Sequence, residues 1–403
     1  MVIINNISQI LTITNNNLGI IENGSIVIEK TKIKEVVKNH KLRIANAKVI
    51  NANNCLVLPG FIDCHTHLVY AGSRENEFAL RLQGKTYKEI LNAGGGILQT
   101  VAATRKASEE ELFNLAQKRI DELIRWGTTT VEIKSGYGLD TNNEIKLLKV
   151  IKNLQKANKE RITIVPTFLG AHAIPPNTEK QEYISRLINE MLPRIAKQKL
   201  AKFCDVFCEN FVFNAEDSEK ILIAAKKLGL IPKIHADEIE SSSGAETAAK
   251  VAAISADHLL YPSDNGLKAM SKKGVVAVLL PGTSLFLKSK QLPPIEKMRK
   301  LGITIALGSD YNPGSCMIYQ MPIIIALGCL LYNLSIEEAI RGATINAAKA
   351  IGLENEIGSI EPGKDADLIV LNVPNYQHIP YQFGRNLVTV VIKKGRVIFH
   401  KQS

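Results

Sequence analysis

Eight short apolar runs, at 57–62, 129–133, 162–168, 203–207, 231–234, 252–256, 275–280 and 303–307, punctuate the middle of the chain. Between them lie longer segments in which apolar residues recur at helical spacing. Strands that all return to one sheet through helices must run parallel, and eight such units close into a (β/α)8 barrel. A doubly wound open sheet satisfies the same alternation and stays open as an alternative. Helix starts are marked by capping boxes at Ser108-Glu-Glu-Glu111, Thr141-Asn-Asn-Glu144 and Ser335-Ile-Glu-Glu338.

Both ends of the chain have a different texture. Residues 1–57 are rich in β-branched positions, with a turn at Glu22-Asn-Gly-Ser25 and two strands meeting near Lys30–Lys32. The other end carries a strand in Asp367-Leu-Ile-Val-Leu371 and a hairpin turning at Lys393-Lys-Gly-Arg396. Neither end has enough apolar surface to stand alone. Residues 1–57 and 356–403 are therefore expected to form one small β-sandwich domain, framing a catalytic barrel over 58–355.

The chain has 403 residues, an apolar fraction of 45% and a charged fraction of 22%, which fit a folded globular protein and exclude wholesale disorder. Its net charge of +11 raises nucleic acid, an acidic membrane surface or an anionic small molecule as partners. No basic stripe with interleaved aromatics supports nucleic acid. The densest apolar stretch, 321–331, is too short for a membrane span of about 20 residues and reads as a buried helix. No basic region precedes Lys30, so a secretory signal is not expected and a cytoplasmic setting is. Six scattered cysteines do not make a disulfide framework. Cys204 and Cys208 sit on a strand-like run, where residues four apart lie about 13 Å apart, too far for one ion, so they read as buried thiols.

The chemistry collects where the runs end. These ends read Asp63-Cys-His-Thr-His67, Gly170-Ala-His172, His235-Ala-Asp-Glu238, Asp257-His258 and Ser309-Asp-Tyr-Asn-Pro-Gly-Ser315. Five of the eight histidines lie in this set. In a barrel, all these ends meet at one face. On an extended chain His65 and His67 point the same way, about 7 Å apart at Cα, and can converge on one ion. His235 and Asp310 would complete three nitrogens and a carboxylate, a donor set that suits zinc or iron. Alone, the His-x-His pair is equally compatible with stacked or capped histidines.

The order His-x-His, His, His, Asp resembles the amidohydrolase superfamily. Further motifs resemble one family within it, the imidazolonepropionases. They are Phe78-Ala-Leu-Arg-Leu-Gln-Gly-Lys85, Ala93-Gly-Gly-Gly-Ile97, Glu132-Ile-Lys-Ser-Gly-Tyr-Gly-Leu139, Pro166-Thr-Phe-Leu-Gly-Ala-His-Ala173, Ala256-Asp-His-Leu-Leu-Tyr261, Val278-Leu-Leu-Pro-Gly-Thr283 and Ser309–Ser315. The tail Gly358-Ser-Ile-Glu-Pro-Gly-Lys-Asp-Ala-Asp-Leu368 is shared across the wider superfamily. The resemblance implies a distorted (β/α)8 TIM barrel with a small β domain from both termini, and a homodimer. It implies hydrolysis of the cyclic amide of 4-imidazolone-5-propanoate to N-formimidoyl-L-glutamate, in histidine degradation. It places one divalent or trivalent metal, zinc or iron, on His65, His67, His235 and Asp310. Binuclear relatives carry a lysine at the end of strand four; Cys204-Asp-Val-Phe-Cys-Glu209 has none. Lys134, at the end of run two, reads as a structural or surface charge.

Roles then follow for the remaining candidates. Glu238, His258 and Asp310 are the candidate catalytic groups: Asp310 as ligand and proton acceptor, Glu238 as proton carrier, His258 for the developing oxyanion. Their bland counterparts are a helix N-terminal carboxylate for Glu238 and a core histidine for His258. Substrate contacts fall to Arg74, Tyr137, His172, Glu238, Asn312, Gly314 and Ser315. Arg74 matches the family's substrate arginine, and its fork of donors suits a propionate. The triple glycine Gly94–Gly96 is no phosphate loop, since no Gly-Lys-Ser/Thr follows, and reads as a close backbone approach near the site. Two other readings stay open: a related deaminase acting on a purine or pyrimidine, and a catalytically dead scaffold.

Overall fold

The change of texture along the sequence becomes two sheets in the computed structural model, which describes residues 1–38, 41–85, 89 and 95–401. The first end contributes β1 (Val2–Leu11), β2 (Ile20–Glu22), β3 (Ser25–Glu29), β4 (Lys32–Val37) and β5 (Lys48–Pro59). The middle contributes β6 (Phe61–Asp63), β7 (Thr128–Lys134), β8 (Thr163–Ala171), β9 (Phe203–Cys208), β10 (Ile231–Ala236), β11 (Ser255–His258), β12 (Val276–Leu279) and β13 (Ile305–Leu307). The last end adds β14 (Leu368–Leu371), β15 (Val388–Lys393) and β16 (Arg396–His400).

Strands of both ends share one mixed sheet, in the order β16-β15-β14-β5-β1-β3-β4, with β2 on β1. Residues from both ends meet in one apolar cluster, among them Ile4, Ile10, Ile28, Val57, Leu368, Val370 and Ile392. The β15–β16 hairpin turns through Lys394 and Gly395, both at positive φ, as a tight two-residue turn requires.

The other sheet is a nearly closed parallel barrel running β6 to β13 in sequence order. Side-chain alternation divides each strand between two environments. Val131, Ile133, Ile234, Ala256, Ala277, Leu279 and Leu307 point outward into the helix layer. Ile62, Val165, Phe203, Val276, Val278 and Ala306 join a second cluster with Ala347 and Ala348 of the helix Ile345–Ala350.

Several expectations change in detail. The run 57–62 is divided between the sheets. Its first three residues pair with β14, and the strand breaks at Gly60, where a Cβ would stand 2.2 Å from Thr129 Cγ2. In the run 252–256, Ala252 ends the helix Gly244–Val251 and the strand begins only at Ser255. The capping box expected at Ser335 forms in full, whereas at Ser108 only half of the expected box does, the Ser108 side chain accepting the Glu111 N–H. For the helix Thr141–Ala157, however, the cap is Asp140. Glu144 instead accepts the N–H groups of Gly136, Gly138 and Leu139, folding the loop after β7. The stretch 321–331 lies in the helix Met321–Tyr332, most of it buried. Among the described residues no helix is long and apolar enough to cross a membrane. All six cysteines are free, and Cys204 and Cys208 are buried on β9.

Lys134 is not a surface charge. It is fully buried, with Nζ 2.7 Å from Asp205 and 2.9 Å from Glu132. Lys233 lies beside it, 3.5 Å from Glu132 and 3.8 Å from Asp257. Where many barrels stack branched apolar side chains, this one carries a charge network beneath its mouth. Removing one partner leaves the others buried and uncompensated, so Lys134→Met is expected to cost about 3–5 kcal/mol of stability. Chemical denaturation of the variant checks this.

Candidate active site

The barrel's last gap, between β13 and β6, is bridged by the segments just beyond those two strands. Asp310 N–H donates to His65 O and His67 N–H to Tyr311 O, each at 3.0 Å. Asp63 accepts Ser309 N–H at 3.0 Å and Ser309 Oγ–H at 2.5 Å. The same bonds that close the barrel thus bring His65, His67 and Asp310 together.

His65 and His67 lie past the short β6, with ring centres 5.4 Å apart, so the convergence expected from their spacing holds. His235, the fifth residue of β10, has its ring 4.6 Å from that of His65. Asp310 Oδ1 stands 3.5 Å from His65 Nε2 and 3.4 Å from His67 Nε2. Two triplets have ligand atoms within 4.8 Å of one another: His65, His67 and Asp310, and His65, His235 and His258. The geometry therefore unites all four expected ligands around His65, with His258 beside them.

Two of the imidazoles, His65 and His235, are aimed by carboxylates that sequence reasoning missed. His65 Nδ1 is 2.6 Å from Asp257 Oδ2, and His235 Nδ1 is 3.1 Å from Asp205 Oδ1. Both Nε2 atoms are then turned inward, buried and without a hydrogen-bond partner. Buried polar atoms are rarely left so, unless a ligand supplies the missing partner. Carboxylate-backed histidines with free Nε2 atoms are how protein metal sites are commonly built. The donor set fits a divalent ion. Asp310, though buried, is held well below the ordinary carboxylate range by the neighbouring imidazoles of His65 and His67. Thr283, within a motif noted above but given no role, donates to its Oδ2 at 2.7 Å.

The backbone bends to deliver these groups. Alternation along β11 would send His258 outward, since Asp257 faces inward, but His258 has φ +78. Asp237 and Asp310 are also at positive φ, near +52. Such conformations are costly for residues other than glycine and persist only where surrounding contacts impose them. Asp237 accepts the N–H groups of Ser242, Gly244 and Ala245, while Glu209 accepts those of Glu238 and Ile239 at 2.7 and 2.9 Å. Glu238 Oε2 then stands 3.5 Å from His258 Nε2. Burial, followed by the charges of Asp310 and Glu209, pushes the Glu238 carboxyl up to about 8. Burial also holds His258 and His172 well below the usual imidazole value, so both rings are neutral.

A cavity of about 500 Å³ opens over this cluster. Every expected substrate residue lines it: Arg74, Tyr137, His172, Glu238, Asn312, Gly314 and Ser315. His172 stacks on His67 at 5.2 Å and is anchored through Nδ1 to Gly136 O. Asn312 Oδ1 accepts the N–H groups of Gly314 and Ser315, and its Nδ2 donates to Asp310 and to Ser315 Oγ. These three residues thus bond chiefly to one another and to Asp310. Arg74 departs from the open fork expected of it, because Nε and Nη2 both bond to Glu77. Gly94 of the triple glycine lies outside the described residues. Gly96 is within them, at φ +89, and donates its N–H to Glu77 at 2.8 Å.

Residues 56–398 match the Amidohydrolase family. Fold and site together define a metal-dependent barrel hydrolase of that kind. The chain is 49% identical to an imidazolonepropionase of Geobacillus kaustophilus (strain HTA426), over 95% of this chain and 92% of the relative. It is 46% identical to that of Clostridium tetani (strain Massachusetts / E88), over 99% and 98%. The chain belongs to the imidazolonepropionase family of amidohydrolases. Among solved structures, 5-methylcytosine deaminase from Klebsiella pneumoniae shares the fold, with a TM-score of 0.76 at 17% identity, covering 100% of this chain and 98% of that one. An adenosine deaminase from Xanthomonas campestris with bound zinc does so too, at 0.73 and 18%, over 98% and 92%.

Proposed function

We propose that this chain opens the ring of 4-imidazolone-5-propanoate with water, giving N-formimidoyl-L-glutamate in histidine degradation. The observation that carries the reading is one cavity lined both by the His–Asp cluster and by the Arg74 guanidinium. A hydrolytic centre and a cation for a carboxylate are what a ring amide bearing a propionate requires.

His65, His67, His235 and Asp310 would hold a single metal, zinc or iron. When bound, such an ion supplies Lewis acidity, polarising a carbonyl and lowering the pKa of water toward about 7. The chain's own groups do the rest. Glu238, in its ionised form, accepts the proton of the attacking water and returns it to the ring nitrogen that leaves. His258, neutral and with both ring nitrogens unpartnered, offers an N–H to the oxygen on which charge develops. Tyr137 and His172 wall the ring, and Arg74 receives the propionate through Nη1. A homodimer, which rests on the motif resemblance, and a cytoplasmic setting, which rests on the sequence features given above, complete the reading.

The test is a turnover assay on 4-imidazolone-5-propanoate with metal analysis of the same sample. Ring opening with about one metal per chain is expected; ammonia release from a purine or pyrimidine instead would replace this reading with a deaminase. Arg74→Ala is expected to raise KM about tenfold or more, the scale of one charge-assisted hydrogen bond, at unchanged metal content. Unaltered substrate saturation would reject its role.

A further inference from the structure

On the helix Glu75–Leu82 and the residue before it, Arg74, Glu77 and Arg81 fall at spacings of three and four, so their side chains share one face. Glu77 is buried, 4% exposed. Its carboxylate accepts Arg74 Nε at 2.9 Å, Arg74 Nη2 at 2.7 Å, the Gly96 N–H at 2.8 Å, and Arg81 Nη2. Arg81 Nη1 donates to Gly314 O at 2.8 Å. Arg74 Nη1 has no protein hydrogen bond among the described residues. It lies against Gly314, where a Cβ would stand 2.1 Å from it.

We propose that Glu77 is a positioning residue, which locks the Arg74 guanidinium so that Nη1 alone is presented to the substrate's carboxylate, and which couples it through Arg81 to the loop behind Asp310. The inference deepens the function proposed above and rests on it.

Three features support it. Two arginines and one carboxylate leave a net charge of +1, which is what a monoanionic side chain needs. Two of the guanidinium's donor groups are already engaged, so the arginine does not swing, and little ordering entropy remains to be lost when substrate binds. The hydrogen bonds and charges of Arg74 and Arg81, with the Gly96 amide, also hold the Glu77 carboxyl below its usual value against the opposing effect of burial, so it stays ionised. Arg81 and Glu77 both escaped the sequence reading, although their spacing around Arg74 is helical and legible.

The test compares holoenzyme with Glu77→Gln, which keeps size and removes charge. Two unreactive probes, imidazole-4-propanoate and the neutral imidazole-4-propanamide, are titrated by calorimetry. Glu77→Gln is expected to weaken the propanoate about tenfold or more and to leave the propanamide within about twofold. Metal content should not change. Equal losses on both probes would mean a merely structural role and overturn the proposal, as would an unaltered propanoate affinity. If Glu77→Gln does not fold, Glu77→Asp, which keeps the charge and shortens the reach, is expected to weaken the propanoate alone, and loss on both probes or on neither overturns the proposal there too. Absence of wild-type turnover on 4-imidazolone-5-propanoate would sink the function itself, whereas wild-type turnover with unchanged propanoate binding in the variant sinks only the positioning role.

Discussion

Glu238→Gln is expected to lower kcat by about 10²–10⁴, the usual contribution of a positioned proton carrier, while leaving metal content intact. Glu238 is not among the proposed ligands, and its backbone is held by Glu209 whatever its side chain carries. Its carboxyl is raised from 4.5 to about 8, first by burial and then by Asp310 and Glu209. As a proton acceptor it must be ionised, so kcat/KM rises as pH climbs through its pKa. A bound cation nearby draws that pKa down again, so the rising limb should fall between 4.5 and about 8. In Glu238→Gln, residual activity should lack that limb. A variant with full turnover, or one that keeps the wild-type limb, would pass the proton to another group.

Removing both His65 and His67 as alanines is expected to abolish stoichiometric metal and reduce turnover to background. Each loses a nitrogen close to Asp310, and His65 is common to both of the possible triplets. The consequence for stability follows from linkage: an ion that binds only the folded chain raises its stability by RT ln(1 + [L]/Kd). The double variant should therefore melt no higher with added zinc or iron than without it, whereas wild type should gain. Metal analysis and melting curves with and without ion check both halves. Retained metal and turnover in the double variant would move the centre elsewhere.

The surplus of positive charge has a narrower meaning than composition suggested. The cavity requires one free guanidinium nitrogen for one anionic side chain; Lys134 and Lys233 are balanced by buried carboxylates and add nothing to the surplus, the rest of which has no assigned role. The open question of a dead scaffold also narrows. Three histidines with unpartnered inward nitrogens are hard to reconcile with a chain that has lost its ion.

Much of this was legible from residues alone because the relevant signals are local. Strand and helix periods, the capping residues Ser108 and Ser335, and the placement of histidines at strand ends all depend on neighbours a few positions away. Once eight parallel strands are inferred, topology forces their C-terminal ends to one face, and the distant residues His65, His235 and Asp310 must meet there. The sequence by itself therefore determined the alternation of parallel strands and helices, the paired chain ends and the expected ligand set, while the structure closed the strands into a barrel rather than an open sheet.

Only the tertiary structure decided what surrounds that set. A charged residue alternating with apolar ones on a strand looks the same whether it faces solvent or a barrel interior, so Lys134 and Lys233 could not be placed inside. Their partners, and those of His65 and His235, come from other strands across long loops: Lys134 with Asp205, His65 with Asp257. Nothing near His258 in the chain announces that its backbone reverses, at φ +78, to bring the ring to the mouth. Nor does any local signal show that Glu77 has already taken two donor groups of Arg74. Pair energies between buried charges depend on distance and desolvation in three dimensions, and those quantities exist only once the chain has closed.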